Sequence, residues 1–514
     1  MSEHFLKGGD DIDVAVWGFH DFSKQGCPIA LDNYQRPYVW EGQRIQDLLA
    51  DLESFAETMR QSGPQSEYYM GTVALHRAVD REDNREKLFI IDGQQRLTSL
   101  CVLHHALHGD IPRDVELKFR SPLSVANVRA ARELMRRPNL QKDIFDHLRF
   151  TVITVQSEDL AFTFFDTQNS RGVPLGATDL LKAYHLRAIH GDKLQQDERL
   201  RELCARRWER VQVQGEEGHE SKRHDFAPEL FHYYLWRARK WRGQSVDELE
   251  HTDDLLAEFQ KGSLKSNVAQ IKLYPAASNQ WAMALTLGGD GSLRLEPKAL
   301  ELQALDLARN PANLPFALRQ PVQSGVGFFL YAEKYAALLN SILHQGTGEA
   351  ELLALREFYR AVIAVLSVYL QSLFRLALLL YVDRLGTAGV FRFALWLNHN
   401  LGALRLDRDD VRRQTPLKYL RDRPINLLDV IAFAYYPGEV IAFLKSDDLV
   451  KSYTANDGWR ELVVSGAGVK GRYIKALAGY YGAAALDKLH SQIDKHAETQ
   501  LAKHKEGVHG RASF

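Results

Sequence analysis

The pattern of apolar and polar positions changes character near residue 190. Before it, apolar runs typical of strands cover Tyr68 to His76, Lys87 to Ile91 and Thr151 to Val155. Apolar residues with a 3.6-residue period predict helices between them, around 45–55 and 180–185. After residue 190 the strand pattern fades and helical patterns dominate. We therefore predict an α+β fold, a small mixed α/β N-terminal domain followed by a large, mainly α-helical C-terminal region.

Length and composition support an intracellular protein with more than one domain. A chain of 514 residues is too long for a single core, and we place the boundary near residue 245, giving domains 1–245 and 246–514. Lysine plus arginine (65) nearly balances aspartate plus glutamate (66), so any contact with DNA must come from a local patch. Three separated cysteines and an acidic N-terminus without an apolar core favour a cytoplasmic location.

The longest apolar run, Val362 to Val382, is long enough to cross a bilayer. Gln371 and Arg375 lie at its middle, and an arginine there costs roughly 2.5 kcal/mol or more in lipid. We therefore interpret the run as a buried core helix and expect no contact with a membrane.

The most informative segment is the turn Asp92-Gly93-Gln94-Gln95-Arg96, which joins a predicted strand to a predicted helix. Backbone N–H groups, two carboxamides and a cation at a helix start suit a phosphate or another anion. The carboxylate beside them could hold a metal or act as a base. The alternative is an ordinary turn, since Asp-Gly is common in turns for conformational reasons alone.

Two further polar clusters accompany this turn. In the first, Tyr34 to Trp40, the arginine Arg36 precedes a proline and is therefore extended; an aromatic edge strand with a solvated arginine is the alternative. The second runs from Asp166 to Leu175 and continues to Asp179 and Lys182. A corner between two helices explains its glycine and proline, but it does not explain Asn169, Arg171 and Lys182.

These residues carry a specific resemblance to a known family. The segments YQRPYVW, YYMGTVALHR, KLFIIDGQQRLTSL and FFDTQNSRGVPLGATDLLKAYHLR follow one another in that order, over roughly residues 25 to 190. They resemble the N-terminal domain of the GmrS/GmrD type of modification-dependent restriction protein, which is known by its DGQQR motif. The resemblance implies a fold similar to the ParB/sulfiredoxin superfamily, in which the equivalent turn binds a nucleotide or supports its hydrolysis.

The resemblance also implies roles for individual residues. Arg96 would clamp the phosphates of an NTP (GTP, ATP or CTP), and Asp92 would hold Mg²⁺ or position a water, with Asn169 near the metal. The other expected nucleotide-binding residues surround them from the same three motifs: Gln35, Arg36, Gly93, Gln94, Gln95, Arg171 and, on weaker grounds, Lys182.

The second half of the chain departs from the family, whose members often carry a C-terminal His-Asn-His nuclease. Asn398-His399-Asn400 reads as a polar helix end, and the loop 465–471 lacks the Walker spacing. The C-terminal histidines lie in a Lys/Gln-rich helix and tail and read as solvated: His490, His496, His504 and His509. We therefore predict no nuclease in this chain.

Local basic patches are the one hint of nucleic acid outside the motifs. Arginines cluster at 199–210, and basic residues surround Trp236 and Trp241, which suits phosphate contact with base stacking; charged helix faces paired with glutamates are the alternative.

Together these features predict a nucleotide-binding, NTP-hydrolysing sensor subunit of a prokaryotic restriction or anti-phage system. Its expected partners are modified or phage DNA and a separate nuclease, and association with itself is left open. Two alternatives are a non-catalytic DNA-binding or scaffolding protein and a ParB-like DNA-nicking enzyme.

Overall fold

The computed structural model divides the chain into two compact units, one formed by Met1–Val213 with Glu220–Asp225 and the other by Gln214–His219 with Phe226–Phe514. The boundary predicted near residue 245 stays a prediction of domain organisation. The structure describes residues 12–32, 35–62, 66–80, 83–119, 121–136, 138–157, 160, 176–189, 194–213, 225–248, 251–265, 271–274, 283–287, 292–297, 310–344, 349–446 and 468–511.

The first unit is built on a mixed sheet of six strands in the order β1-β6-β3-β4-β2-β5. Its strands are β1 (Ile12–Gly18), β2 (Ile29–Leu31), β3 (Tyr68–Asp80), β4 (Arg85–Asp92), β5 (Val115–Glu116) and β6 (Leu148–Val155). The central strands β3 and β4 pair antiparallel, whereas β4 pairs parallel with β2 and β3 pairs parallel with β6. The carboxyl end of β4 therefore lies inside the sheet, with neighbours on both sides.

Five helices accompany the sheet in the described part of this unit. They are α1 (Gly42–Ser62), α2 (Gln94–His108), α3 (Pro122–Leu134), α4 (Ala177–Arg187) and α5 (Leu194–Val213). Short 3-10 helices cover Phe19–Ser23 and Lys142–His147. The core contains alternate strand residues such as Val73, Leu88 and Ile90 together with Leu97 and Leu100 of α2. Burial of these apolar side chains places α2 directly against the sheet.

The α+β organisation predicted from the sequence is confirmed. All three predicted strands are present, and each is longer than its predicted run because residues beyond the run also pair with neighbouring strands. The prediction did not include β1, β2 and β5. β2 and β5 are too short, at three and two residues, to show a periodic pattern.

The second unit is mainly helical in its described residues. Its helices are α6 (Ala227–Glu229), α7 (Arg237–Lys240), α8 (Thr252–Leu256), α9 (Val326–Leu343), α10 (Ala350–Ala361), α11 (Val368–Leu385), α12 (Val390–Asp407), α13 (Gln414–Arg421), α14 (Leu427–Phe433), α15 (Pro437–Lys445), α16 (Gly468–Tyr481) and α17 (Leu489–Arg511). π-Helices cover Leu230–Trp236 and Ala257–Lys261, and 3-10 helices cover Pro311–Asn313, Ile363–Val365 and Ala483–Lys488. One hairpin, β7 (Met283–Leu287) with β8 (Leu293–Pro297), interrupts the helical pattern that the sequence predicted.

The long apolar run does not form a single helix. α10 ends at Ala361, a 3-10 turn follows, and α11 begins at Val368, where the Ser367 hydroxyl accepts a hydrogen bond from the Leu370 N–H. Most side chains of α11 are buried, as expected for a core helix, and Gln371 donates to the main-chain oxygens of Ala364 and Leu366. Among the described helices, none combines the length and apolar character that crossing a membrane requires.

Candidate functional site

The turn from β4 into α2 depends on glycine. Gly93 has a φ of +91°, which L-residues rarely adopt, and a Cβ atom at this position would lie 2.9 Å from Cγ2 of Val73. Within the described residues, no side chain caps the start of α2. The first N–H groups of a helix need acceptors, and they carry the positive end of its dipole. This end of α2 is therefore suited to an anion.

Gln95 is held by the segment that precedes α1, and its predicted role in binding a nucleotide stays a prediction. Its Nε2 donates to the main-chain oxygen of Pro37 at 3.0 Å, and its Oε1 accepts from the Val39 N–H at 2.8 Å. The Tyr38 hydroxyl lies 2.7 Å from Oγ of Ser99, one turn further along α2. Both ends of the Gln95 amide are therefore used in fixing the YQRPYVW segment to α2.

Arg96 is also held by the main chain. Its two terminal nitrogens donate to the oxygens of Met70 and Thr72, each at 2.6 Å, and Nη2 lies 3.8 Å from the Asp92 carboxylate. Between those two residues Gly71 has a φ of +95°, and a Cβ there would lie 2.2 Å from Nη1 of Arg96. Arg96 thus fills an irregularity of β3, and its predicted action as a phosphate clamp stays a prediction.

Gln35 and Lys182 support the turn from the other side. Gln35 donates from Nε2 to the main-chain oxygens of Ile90 at 2.6 Å and Ile91 at 2.9 Å. Lys182 of α4 donates from Nζ to the main-chain oxygen of Gln35 at 2.8 Å. The first and third motifs therefore meet at the end of β4, as the resemblance implied.

Two buried polar groups beside the turn have no such partner. Gln94, the first residue of α2, is 5% exposed, and its Oε1 has no hydrogen-bond partner among the described residues. The same is true of Oγ1 of Thr98, which is 0% exposed. Residues four apart share one face of a helix. An unpaired buried polar atom costs free energy, so a ligand or water that reached these two oxygens would stabilise them by supplying a hydrogen bond.

Charged groups of both signs accompany the turn. The Asp92 side chain is 33% exposed, and Arg36 is half-buried. Burial raises the pKa of the Asp179 carboxyl, while Arg36 and Lys182 act to lower it. Burial lowers the pKa of the Lys182 ammonium, against the opposing effect of four carboxylates, those of Glu209, Asp179, Asp225 and Asp32.

Two predicted residues, Asn169 and Arg171, lie outside the described residues. Thr98 is a residue that the sequence analysis missed. The signal for it was the spacing, since Gln94 and Thr98 are polar residues four apart on a helix face that they share with the apolar Leu97 and Cys101.

Two family models match the chain. The GmrSD restriction endonuclease N-terminal domain matches residues 16–186, and a family of unknown function (DUF7834) matches residues 200–460, just over half of the 514 residues. The chain belongs to the DUF7834 family and carries a GmrSD-type N-terminal domain. No curated protein matches it. The GmrSD-type match confirms the resemblance found in the motifs and suggests a component of a restriction or defence system.

The basic and aromatic patch in the DUF7834 region does not form an open surface for base stacking. Trp236 and Trp241 are buried, and Arg237 lies between the rings of Tyr233 and Trp241, 4.7 and 4.8 Å from their centroids. Arg239 pairs with Glu258 at 2.5 Å. The structure therefore favours the alternative interpretation, a basic helix paired with glutamate. In the arginine cluster at 199–210, Arg206 similarly pairs with Glu202 on α5.

The prediction that Asn398-His399-Asn400 is a polar helix end was wrong. The segment lies buried in the middle of α12. Burial lowers the pKa of His399 to about 3, and its Nε2 lies 3.3 Å from Nδ1 of His490. The Asn398 Oδ1 accepts from the Tyr473 hydroxyl at 3.1 Å. These polar groups therefore pack α12 against α16 and α17.

The prediction that the C-terminal histidines are solvated was wrong for three of them. His490 contacts His399, His496 packs against the rings of Tyr480 and Tyr481, and His504 pairs with Glu357 at 3.2 Å. The apolar positions between them bury one side of α17, which composition alone did not reveal. The side chain of His509 lies outside the described residues. Among the described residues, no group of histidine, cysteine and acidic side chains is arranged to hold a metal by itself.

Proposed function

We propose that this chain is a nucleotide-binding, NTP-hydrolysing subunit of a restriction or anti-phage defence system, and that the nucleotide binds at the turn from Asp92 to Gln94. The observation that carries the proposal is the uncapped start of α2 beside the buried, unpartnered Oε1 of Gln94. Helix starts with free N–H groups bind phosphates in many unrelated folds. The GmrSD-type match supports the defence context.

The contacts divide the predicted site residues into two groups. Gln35, Gln95 and Arg96 use their side chains to hold main-chain atoms, so we assign them to the scaffold of the site. Asp92 and Gln94, with the first N–H groups of α2, are the groups left to meet the ligand. Arg36, whose charge acts to lower the pKa of the Asp179 carboxyl, would neutralise further phosphate charge. We propose roles for Asn169 and Arg171 on the resemblance alone.

The residues fit a magnesium ion that arrives with the nucleotide. Mg²⁺ is usually bound by one or two carboxylates together with substrate phosphates. Asp92 offers one carboxylate, and Arg96 at 3.8 Å opposes a cation bound without phosphate. When bound with the nucleotide, Mg²⁺ would offset negative charge on the phosphates. In the proposed hydrolysis, water attacks the terminal phosphorus, the bond to the bridging oxygen breaks, and the nucleoside diphosphate leaves.

The test is a thermal-shift panel of the full chain with ATP, GTP, CTP and UTP, each with and without Mg²⁺. A ligand at about 100 times its Kd stabilises the folded state by about 2.7 kcal/mol. We expect one nucleotide to raise the Tm in the presence of Mg²⁺, and Asp92→Asn to remove this shift. Asp47→Asn, at an exposed position of α1, is the matched control and should retain it.

Three outcomes would contradict the proposal. An unchanged Tm with every nucleotide, with DNA present or absent, would show that the chain binds none of them. DNA binding that is lost in Arg96→Ala without any nucleotide effect would favour the scaffolding alternative. Metal-dependent nicking by the purified chain that is lost in Asp92→Asn would favour the nicking enzyme. Pull-down with modified DNA or a candidate nuclease tests the proposed partners separately.

A further inference from the structure

Among the residues that the structure describes, three lysines are almost completely buried, and one of them lacks a close carboxylate. Lys87, 2% exposed, lies within 3.0 Å of three carboxylates, and Lys334 lies 2.7 Å from Asp383. Lys182, 3% exposed, instead donates to the main-chain oxygen of Gln35. Within the described part of the chain, no carboxylate lies at bonding distance from it. Burying an ammonium without a carboxylate partner costs free energy. The hydrogen bond from Lys182 to the Gln35 main chain therefore needs an explanation.

The segment that Lys182 holds continues the sheet beyond its last strand pair. The parallel ladder of β2 and β4 ends at Leu31 and Ile90. On the other side of β4, Leu75 pairs with Ile90 and Ala74 with Asp92, so Ile91 is left without a partner in a β-bulge. The Gln35 side chain donates to the oxygens of both Ile90 and Ile91 and so takes the place of the missing strand.

We propose that Lys182 is a positioning residue of the candidate site. Its ammonium holds the Gln35 main chain, Gln35 holds the bulge of β4, and the bulge sets the position of Asp92 and of the helix start that follows. Lys182, Gln35 and Asp92 belong to three separate motifs. This chain of contacts, which we call the relay, therefore transmits a displacement of α4 to the turn. Only its effect on ligand affinity rests on the proposed function.

Hydrogen exchange in the ligand-free full chain tests the relay directly. In Lys182→Met and in Gln35→Met, we expect the amides of residues 90–97 to exchange roughly tenfold faster, the effect of losing one or two hydrogen bonds. The double variant should exchange no faster than Gln35→Met, because both changes break one chain of contacts. Lys24→Met, at a lysine that is 68% exposed, is the control and should leave these amides unchanged. Unchanged exchange, or equal acceleration in all strands of the first unit, would overturn the proposal.

Nucleotide affinity separates positioning from direct contact. If Lys182 acts through Gln35, each single variant and the double variant raise the Kd by the same factor, about tenfold. Losses that multiply to about a hundredfold in the double variant would place Lys182 on the ligand and overturn the positioning role. A wild-type chain that binds no nucleotide would defeat the proposed function, while the exchange measurement would still decide the relay.

Discussion

The two ends of β4 differ in whether their buried polar side chains have partners. At the beginning of the strand, Lys87 is buried and lies 2.6 Å from Asp80, 2.8 Å from Asp83 and 3.0 Å from Glu116. Just past its end, Gln94 is also buried, yet its Oε1 has no hydrogen-bond partner among the described residues. Both ends belong to one strand in the centre of one sheet.

We interpret the paired end of β4 as a stabilising cluster and the unpaired end as part of the candidate site. Hydrogen-bonding a buried group to protein stabilises the fold, and the Lys87 cluster fastens the β3–β4 hairpin to β5 in this way. Leaving a buried group unpaired costs stability, and such a cost is tolerated where another molecule supplies the partner. The contrast predicts that substitutions will cost less stability as the partners of the replaced group become fewer.

The largest effect is expected for Lys87→Met, which leaves three carboxylates facing one another without their cation. We expect a loss of about 3 kcal/mol in the free energy of unfolding, the usual scale for breaking a buried ion cluster. Urea denaturation measures it. Lys118→Met is the control, since that lysine is 69% exposed and 3.6 Å from Glu116. A loss no greater than that of the control would show that the paired end of β4 is not the stabilising one.

Arg96→Met should have the next largest effect. It removes two charge-assisted hydrogen bonds to the oxygens of Met70 and Thr72 and leaves the main chain around Gly71 unsupported. We expect a loss of about 2 kcal/mol in the ligand-free chain. Arg60→Met, at an exposed arginine of α1, serves as the control and should change the free energy of unfolding little. If stability is unaltered but nucleotide binding is lost, Arg96 contacts the nucleotide directly, as the resemblance implied.

His104, near the other end of α2, is an intermediate case because it has one main-chain partner, the oxygen of Asp110 at 3.0 Å. Burial lowers its pKa, helped by His108 and His20 and opposed by Asp110. The unfolded chain therefore takes up this proton more readily than the folded chain. Stability should fall as the pH drops below about 6.5, by at most about 1.4 kcal/mol per pH unit, the limit for one proton.

Urea denaturation of the wild type and of His104→Phe between pH 7 and pH 5 measures this slope. The phenyl ring keeps contact with Phe19 and Phe145 but carries no proton. The variant should show a smaller decline toward pH 5. An identical decline in both proteins would assign the titration to another group.

The sequence predicted what depends on local pattern and missed what depends on distant contacts. The strands at Tyr68, Lys87 and Thr151 were visible because their apolar runs are long. β1 has alternating residues but was not predicted as a strand, and β2 has only three residues. A single apolar run also hid the break at Ser367, since a serine cap differs little from a buried serine in the sequence alone.

At the site, the motifs predicted which segments come together but not what each side chain does. Gln94 and Gln95 are adjacent and chemically identical, yet one lacks a partner for its Oε1 and the other binds Pro37 and Val39. Their difference is set by the 100° turn between successive residues of a helix and by a segment that is distant along the chain. Neither factor can be read from residue type. For the same reason, the sequence suggested that Trp241 could stack on bases, whereas the structure places it in the core.

The smallest effect on stability is expected at Thr98, and its neighbour provides the matched control. Thr98 and Ser99 are both 0% exposed, but Ser99 Oγ donates to the Gln95 oxygen at 2.8 Å and lies 2.7 Å from the Tyr38 hydroxyl. Ser99→Ala should therefore cost about 1 to 2 kcal/mol, because it leaves the buried Tyr38 hydroxyl unpaired. Thr98→Val has the same shape without the hydroxyl and should change stability by less than about 0.5 kcal/mol, or increase it. If Thr98→Val costs as much as Ser99→Ala, this face of α2 is already satisfied in the folded chain, and the contrast between the two ends of β4 would no longer mark the site.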